Sequence, residues 1–575
     1  MATNGDGFTD DSVKGPVSGK KNPKLQGPFP YEHKIKVPAN DPELSQHVFK
    51  LPVDSEHKAK ALNLFSIAQP HMRSFHLNWI GFFITFFSAY GAAPLIPTIR
   101  QDVGLTGYKA NEAGVVTTAG TVVVRVLMGS MCDKFGPRYA YAFLLMFTSP
   151  FIFGIAAVHT SAGYIISRFL IGWALAAFVT CQFWTSIMFS PNVVGFANAL
   201  AGGWGNAGGG VTQVVMPNLA DGIGKHTYAF RAWRWAFFFP GCLQIIWGLM
   251  ILAFSQDTPD GSYAALEKKG KKQKANLLKE LFNGFTNYRI WLLAACYAYS
   301  FGVELAIDNT LAPYLGSQFG FSTNKAANLA SIFGMMNFWA RPLGGFLSDI
   351  VGRRFGMRGR LWLLWSTMTF GGLFTCLMGV AGNSYAVTQA FIILAAAGIE
   401  GTCGAIYGVV PFVSRRSCGL CCGLVSAGGA IGGVMNQGIF FLNTAASGPY
   451  YIPPIDAFKW MGVVMIAVSC FGVGGQYFPM WGGMFFPARK GSTEEDYYFA
   501  EYNAAEREKG YHLASSAFAN ESRSMRGMKR TATDAAARFK AQQEANGADD
   551  TAHGNIMDSS TSTTPMTNGA TRNGV

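Results

Sequence analysis

The chain has 575 residues, half of them hydrophobic and only 14% charged, with 68 glycines. Soluble globular chains average about 25% charged residues, so the class is an all-α polytopic membrane protein. The net charge of +13 is concentrated at the two ends and in alternate loops, which is a topology signal and not a nucleic-acid footprint.

Residues 1–76 form a polar arm without an apolar run behind a basic start, so the first membrane helix is expected to set the orientation. The stretch 61–75 is mildly amphipathic and is expected to lie along the inner membrane surface. Apolar runs near the ~20 residues that a span needs then fall at 77–98, 112–131, 139–158, 162–187, 196–219 and 234–254. A second set falls at 288–311, 326–347, 361–380, 385–407, 418–441 and 457–483. The organisation is thus twelve transmembrane helices in two pseudo-symmetric six-helix halves, 77–254 and 288–486. A linker over 255–287 joins the halves, with the basic run 267–274 assigned to inner-leaflet contact. The tail 487–575 reads as largely disordered, and Lys529-Arg530-Thr531-Ala532-Thr533 within it would suit a basophilic kinase. With both termini cytoplasmic, 133–138, 267–279, 353–360 and Arg415-Arg416 all face the inside; Lys225, Arg231 and Arg234 are the exception to the charge rule.

One pattern, Arg-x3-Gly-x3-Asp-x2-Gly-x-Arg, occurs twice. Arg125, Gly129, Asp133, Gly136 and Arg138 recur 216 residues later as Arg341, Gly345, Asp349, Gly352 and Arg354. Each arginine lies some 20 Å from the outer end of its span at ~1.5 Å per residue, where insertion costs about 2.5–3.5 kcal/mol. One explanation is snorkelling, or pairing with a carboxylate. Neither span carries an acid within a turn or two of its arginine, however, and the repeat sets both on equivalent helices. Two guanidinium groups facing one pathway imply an anion between them, and rigid bidentate forks suit a small planar oxyanion. The aspartates and outer arginines of the pattern (Asp133, Arg138, Asp349, Arg354), with Gly129 and Gly345, read as a conformational gate.

The run Ala201–Gly210 and its counterpart Ala427–Gly433 open the fifth and eleventh spans. Gly203-x-Gly205-x-x-Gly208 matches a dinucleotide fingerprint in letters only, because it starts a membrane helix and not a βαβ unit. Gly205, Gly208, Gly209, Gly432 and Gly433 instead allow close helix packing, and Asn206 offers an amide to the anion. In the seventh span Glu304 and Asp308 are four apart on one helix face. An anion entering against an inside-negative potential pays ~2.3 kcal/mol per 100 mV, so uphill uptake needs a cation, and Glu304 is the candidate proton relay. Arg168 is a further membrane charge, expected to pair with an acid elsewhere. No nucleophile–base set or metal cluster stands out, so the chain is not read as an enzyme, and no cofactor is expected beyond protons as the coupling ion. The ten cysteines, Cys418, Cys421 and Cys422 included, read as small buried apolar residues.

The repeated loop pattern and Arg168 to Gly172 resemble the major facilitator superfamily. The two glycine-rich stretches resemble the signatures of its nitrate/nitrite porter family, and Ala93–Pro97, Phe301–Leu305 and Pro70–Arg73 are similar to eukaryotic high-affinity nitrate transporters over residues 53 to 490. The resemblance implies proton-coupled nitrate import, with nitrite as a second substrate, at the plasma membrane. It carries substrate binding onto Arg125 and Arg341 and the first-signature asparagine onto Asn206. Ala430 occupies the position where family members often have the second asparagine, and Asn436 lies at another angle around the helix. A small single-span accessory protein is an implied partner. Two alternatives stay open: a nitrate/nitrite exchanger, and a nitrate sensor signalling through the tail.

Overall fold

The structure is a computed structural model that describes residues 49–54, 56–263, 266, 284–381, 384–441, 453–508, 510–534 and 537. Six helices build the first half. They are α1 (His71–Tyr90, prolonged through Ile96–Val103), α2 (Gly107–Phe135), α3 (Pro137–Gly154), α4 (Ser161–Gly172 continuing into Ala177–Met188), α5 (Val194–Gly224) and α6 (Phe238–Phe254). The second half repeats the plan with α7 (Tyr288–Ala298 and Phe301–Phe319), α8 (Thr323–Met335 and Ala340–Phe355), α9 (Met357–Met378), α10 (Tyr385–Ile406), α11 (Cys418–Asn436) and α12 (Pro454–Gly474). Ten of these segments are long and apolar enough to cross a membrane. The other two are α5 and α8, which carry the buried Asn206 and Arg341.

Local chemistry sets several helix starts. The side chains of Thr106, Thr160 and Asn287 accept backbone N–H bonds at the first turns of α2, α4 and α7, satisfying donors that a helix start leaves free. Radial position follows from the 3.6-residue period. On α2, Val123 and Leu127 are exposed to the surroundings while Arg125, half a turn round, is buried. On α8 their repeat partners Trp339 and Leu343 are exposed and Arg341 is buried. The halves meet along two crossings, α2 on α11 and α8 on α5.

Two expectations need correction, on the twelfth span and on the tail. The twelfth helix ends at Gly474, and residues up to 483 instead form a short hairpin, β1 (Tyr477–Phe478) with β2 (Gly482–Gly483). The start of the tail is ordered: α13 (Glu494–Phe499), α14 (Ala504–Glu508) and α15 (Leu513–Ser522) pack on the end of the bundle that carries Phe412 and Arg416. They are held by Tyr498 donating to the Phe412 carbonyl (3.0 Å) and by the Arg416–Glu506 and Arg526–Glu494 ion pairs. Lys529 to Thr533 lie on the helical stretch 528–534; the tail from 538 and the basic run 267–274 are outside the described residues. In the 61–75 stretch α1 starts at His71, and the large apolar side chains of Phe65 and Ile67 project, exposed, from the turn before it. Finally, α8 runs about one turn farther than α2, so the chain reverses at Gly356 (φ 72°) and not at Gly352, whereas in the first half Gly136 (φ 88°) does turn.

Candidate functional site

The two arginines meet at the centre of the bundle. Arg125 is 0% exposed and Arg341 1%, so neither snorkels. Both lie over the same two aromatic rings: Arg125 is 5.7 Å from the Phe178 centroid and 5.1 Å from that of Phe301, and Arg341 is 5.4 and 5.6 Å from them. Phe178 of α4 and Phe301 of α7 are stacked at 5.8 Å, and Tyr297 stacks on Phe301 at 5.0 Å. Cation–π attraction steadies each charge without a counter-charge, and the flat aromatic slab holds both forks in one zone.

Their other partners differ. Arg125 donates to the carbonyls of Ser426 (2.7 Å) and Leu175 (3.4 Å), and its Nε has no partner among the described residues. Arg341 donates to the Tyr297 hydroxyl (2.8 Å) and lies 3.7 Å from Glu304. The expectation that both arginines lack an acid is therefore wrong for Arg341. The acid comes from α7, outside the arginine's own span, where a search along one helix does not reach it. Glu304 also accepts from Asn206 (2.9 Å) and Asn337 (2.9 Å), with the Cys403 thiol at 3.5 Å. Asn206 thus reaches the expected centre but is bound to the carboxylate, leaving its own oxygen without a partner among the described residues. Asp308, one turn on, is only half-buried and sits beside Gly334 of α8.

Backbone contact makes this geometry possible. A Cβ at Gly205 or Gly208 would strike Phe82 or the Phe83 carbonyl of α1, and one at Gly432 would meet the Ala298 carbonyl of α7 at 2.2 Å. Gly433 lies against Leu305 and Thr118, while Gly209 has room. The Ala298 carbonyl stands at the break in α7 and accepts from Asn436 (3.2 Å). That residue therefore serves the broken helix, whose freed carbonyl needs a donor in a dry interior.

The gate residues divide into two kinds. Asp133 accepts the backbone N–H groups of Gly419 (3.2 Å) and Leu420 (3.0 Å) at the start of α11, and Asp349 accepts those of Gly195 (3.2 Å) and Phe196 (2.6 Å) at the start of α5. Each half thus places a carboxylate on a helix N-terminus of the other, where free N–H groups and the dipole favour it. Gly129 and Gly345 allow the approach, since a Cβ would lie 2.6 Å from the Gly419 carbonyl or 2.3 Å from that of Gly195. The outer arginines do not cross between halves. Arg138 is tied to Leu252 and Asp257 of its own half, and Arg354 is exposed over the Phe355 ring. Arg360, which the repeat does not flag, pairs with Asp349 instead (2.7 Å).

Arg168 donates to the Ala89 carbonyl (2.5 Å), a carbonyl in place of the expected acid. It lines a small cavity of about 50 Å³ with Asn111, Asn309 and Gln437 at the opposite end of the bundle from the two gates. Sequence reasoning missed Phe178, Tyr297, Asn337 and Glu400. The last carried a signal, because an ionisable residue inside an apolar span is itself a functional hypothesis. Among the described residues no cluster of His, Cys, Asp and Glu could hold a metal ion.

The Major Facilitator Superfamily model matches residues 79–436. The chain is 45% identical to the High affinity nitrate transporter 2.5 of Arabidopsis thaliana over 83% of this chain and 94% of that protein. It is 44% identical to the Nitrate transporter 2.2 of Chlamydomonas reinhardtii over 83% and 93%. Among solved structures, the proton:xylose symporter XylE superposes with a TM-score of 0.51 at 12% identity, covering 70% of this chain and 95% of that one; this likeness speaks for the fold alone.

Proposed function

Because the chain belongs to the Major Facilitator Superfamily and groups there with high-affinity nitrate transporters, we propose that it imports nitrate together with protons by alternating access. The observation that carries the reading is the pair of buried arginines on one aromatic slab, with the Arg125 Nε unpartnered and Arg341 held by an acid. A trigonal anion arriving between them accepts from both forks and competes with Glu304 for Arg341. The displaced carboxylate then takes a proton, because a lone charge in a dry interior is costly. Anion and proton thus load together, and the gates at Asp133 and Asp349 part to release them inside. The tie between Glu304 and Arg341 favours this scheme over an exchanger, which needs no acid at the arginine. The membrane is the plasma membrane, with both termini cytoplasmic, nitrite as a second substrate and a single-span protein as partner.

The test is uptake in cells expressing the full chain, with and without a single-span partner, offered nitrate, nitrite or chloride at two pH values. Nitrate uptake that rises as the outside is acidified, and loses that dependence in Glu304→Gln, is the expected result. Uptake that requires internal nitrite and ignores pH would overturn it in favour of exchange.

A further inference from the structure

Arg168 of α4 is a buried charge to which the scheme above gives no task. It is 4% exposed. Its donation to the Ala89 carbonyl (2.5 Å) meets one of the carbonyls that the last turn of α1 leaves open. That bond steadies the side chain but leaves the other guanidinium donors without a partner among the described residues. Arg168 also lines the cavity of about 50 Å³, and among the described residues no carboxylate lines it.

The other polar lining groups are all uncharged. Asn111 comes from α2 and Tyr164 from α4, Asn309 and Thr310 come from α7, and Gln437 comes from the end of α11. Both halves thus contribute to the cavity. Asn309 donates to the Gln437 side-chain oxygen (3.2 Å) and so fixes that amide. Gln437 is 4% exposed, and its Nε2 has no partner among the described residues. A buried amide donor left unpaired is costly unless a ligand meets it. The helix widens at this point into a π turn, Gln437–Phe441, a form found mostly at functional sites. The cavity exceeds the ~10–15 Å³ that one water needs, yet has room for only a few heavy atoms.

This place is near the central arginines but separate from them. Arg168 lies seven residues before Leu175, whose carbonyl receives Arg125, which is roughly 10 Å of helix at ~1.5 Å per residue. Tyr90, the last residue of α1, stands within electrostatic reach of both Arg168 and Arg125.

We infer that Arg168, Gln437 and Asn111 form a second anion site, which takes one small monovalent oxyanion before it reaches the two central arginines. The inference rests on the proposed nitrate import, which makes nitrate that anion. One guanidinium and neutral amides balance a single negative charge, whereas a divalent anion would leave a charge uncompensated in the bundle. Loading at Arg168 concentrates the anion beside the central pair. Its effect therefore falls on half-saturation and not on the turnover of a saturated transporter.

The experiment measures nitrate uptake against concentration, at one external pH and one clamped potential, in cells expressing the full chain. Gln437→Glu keeps the side-chain shape but puts a carboxylate into the cavity that Arg168 lines. It is expected to raise the half-saturating nitrate concentration about tenfold and keep the maximal rate within about twofold. Arg168→Gln, which can still donate to the Ala89 carbonyl, is expected to do the same. Where Gln437→Glu does not reach the membrane, Asn111→Asp, at an exposed position, is measured under the same prediction. A nitrate titration of purified Arg125→Ala should find one remaining weak site, absent when Gln437→Glu is added. Unchanged half-saturation in the folded variants overturns the inference. So does a fall in maximal rate alone, which marks a structural role, or an Arg125→Ala chain that binds no nitrate. These outcomes leave nitrate import by the wild type standing. A wild type that takes up no nitrate overturns that reading and the inference with it.

Discussion

Arg125 and Arg341 occupy equivalent positions in a sequence repeat and lie within 6 Å of the same two rings, yet their surroundings differ in kind. Arg125 rests on two carbonyls and the aromatic slab. Arg341 has a carboxylate, a tyrosine hydroxyl and an asparagine, with a second acid close by. A symmetric scaffold thus carries an asymmetric centre: one arginine keeps an unpartnered Nε, and the other is held by an acid. The gates show the same contrast. Both aspartates cap a helix of the opposite half, but Asp349 also holds a fully buried arginine, Arg360, whose repeat position in the first half is Leu144. On the proposed reading, substrate contact is shared between the halves and coupling is concentrated in the second.

The most severe way to test this division is to remove each arginine. Arg341→Ala strands Glu304 in the interior and should cost about 3–5 kcal/mol of stability as well as transport. Arg125→Ala should abolish nitrate uptake with a much smaller loss of melting temperature. Equal destabilisation in thermal unfolding would remove the proposed asymmetry, and Arg341→Gln combined with Glu304→Gln should recover stability but not uptake.

The gates come next. Asp349→Asn leaves the Arg360 charge buried without its carboxylate and should lower stability by roughly 2–4 kcal/mol, more than Asp133→Asn does. Hydrogen exchange at the first turns of α5 and α11 would report it, and greater exposure at α11 than at α5 would reverse the ranking.

A gentler change is Arg341→Lys. It keeps the charge but loses the planar fork, so nitrate affinity should fall by about tenfold, or ~1.4 kcal/mol. Unchanged affinity in a binding titration would refute bidentate recognition. The smallest effect is expected from Asn206→Ala, which deletes one of several donors to Glu304 and should weaken proton-dependent uptake by about 1 kcal/mol or less in transition-state terms. A larger effect than that of Asn337→Ala would mean that Asn206 meets the anion itself.

Periodicity and repetition alone determined the existence of the twelve helices and the buried, central place of both arginines. These depend on residues within a few turns of each other, and the 216-residue repeat supplies the second half of the pattern. Only the tertiary structure decided who meets whom across helices. The Glu304–Arg341 pair joins α7 to α8, the aromatic slab joins α4 to α7, and Arg360 displaces the repeat's own arginines from the gate. The ordered start of the tail is of the same kind: a polar stretch that looks unable to fold alone becomes helical because Tyr498 and Glu506 find partners on the bundle and Glu494 pairs with Arg526 farther along the tail. Local pattern measures whether a residue suits its own helix. A charge in a membrane interior is settled by partners on other helices, and their distance in sequence hides them until the chain is packed.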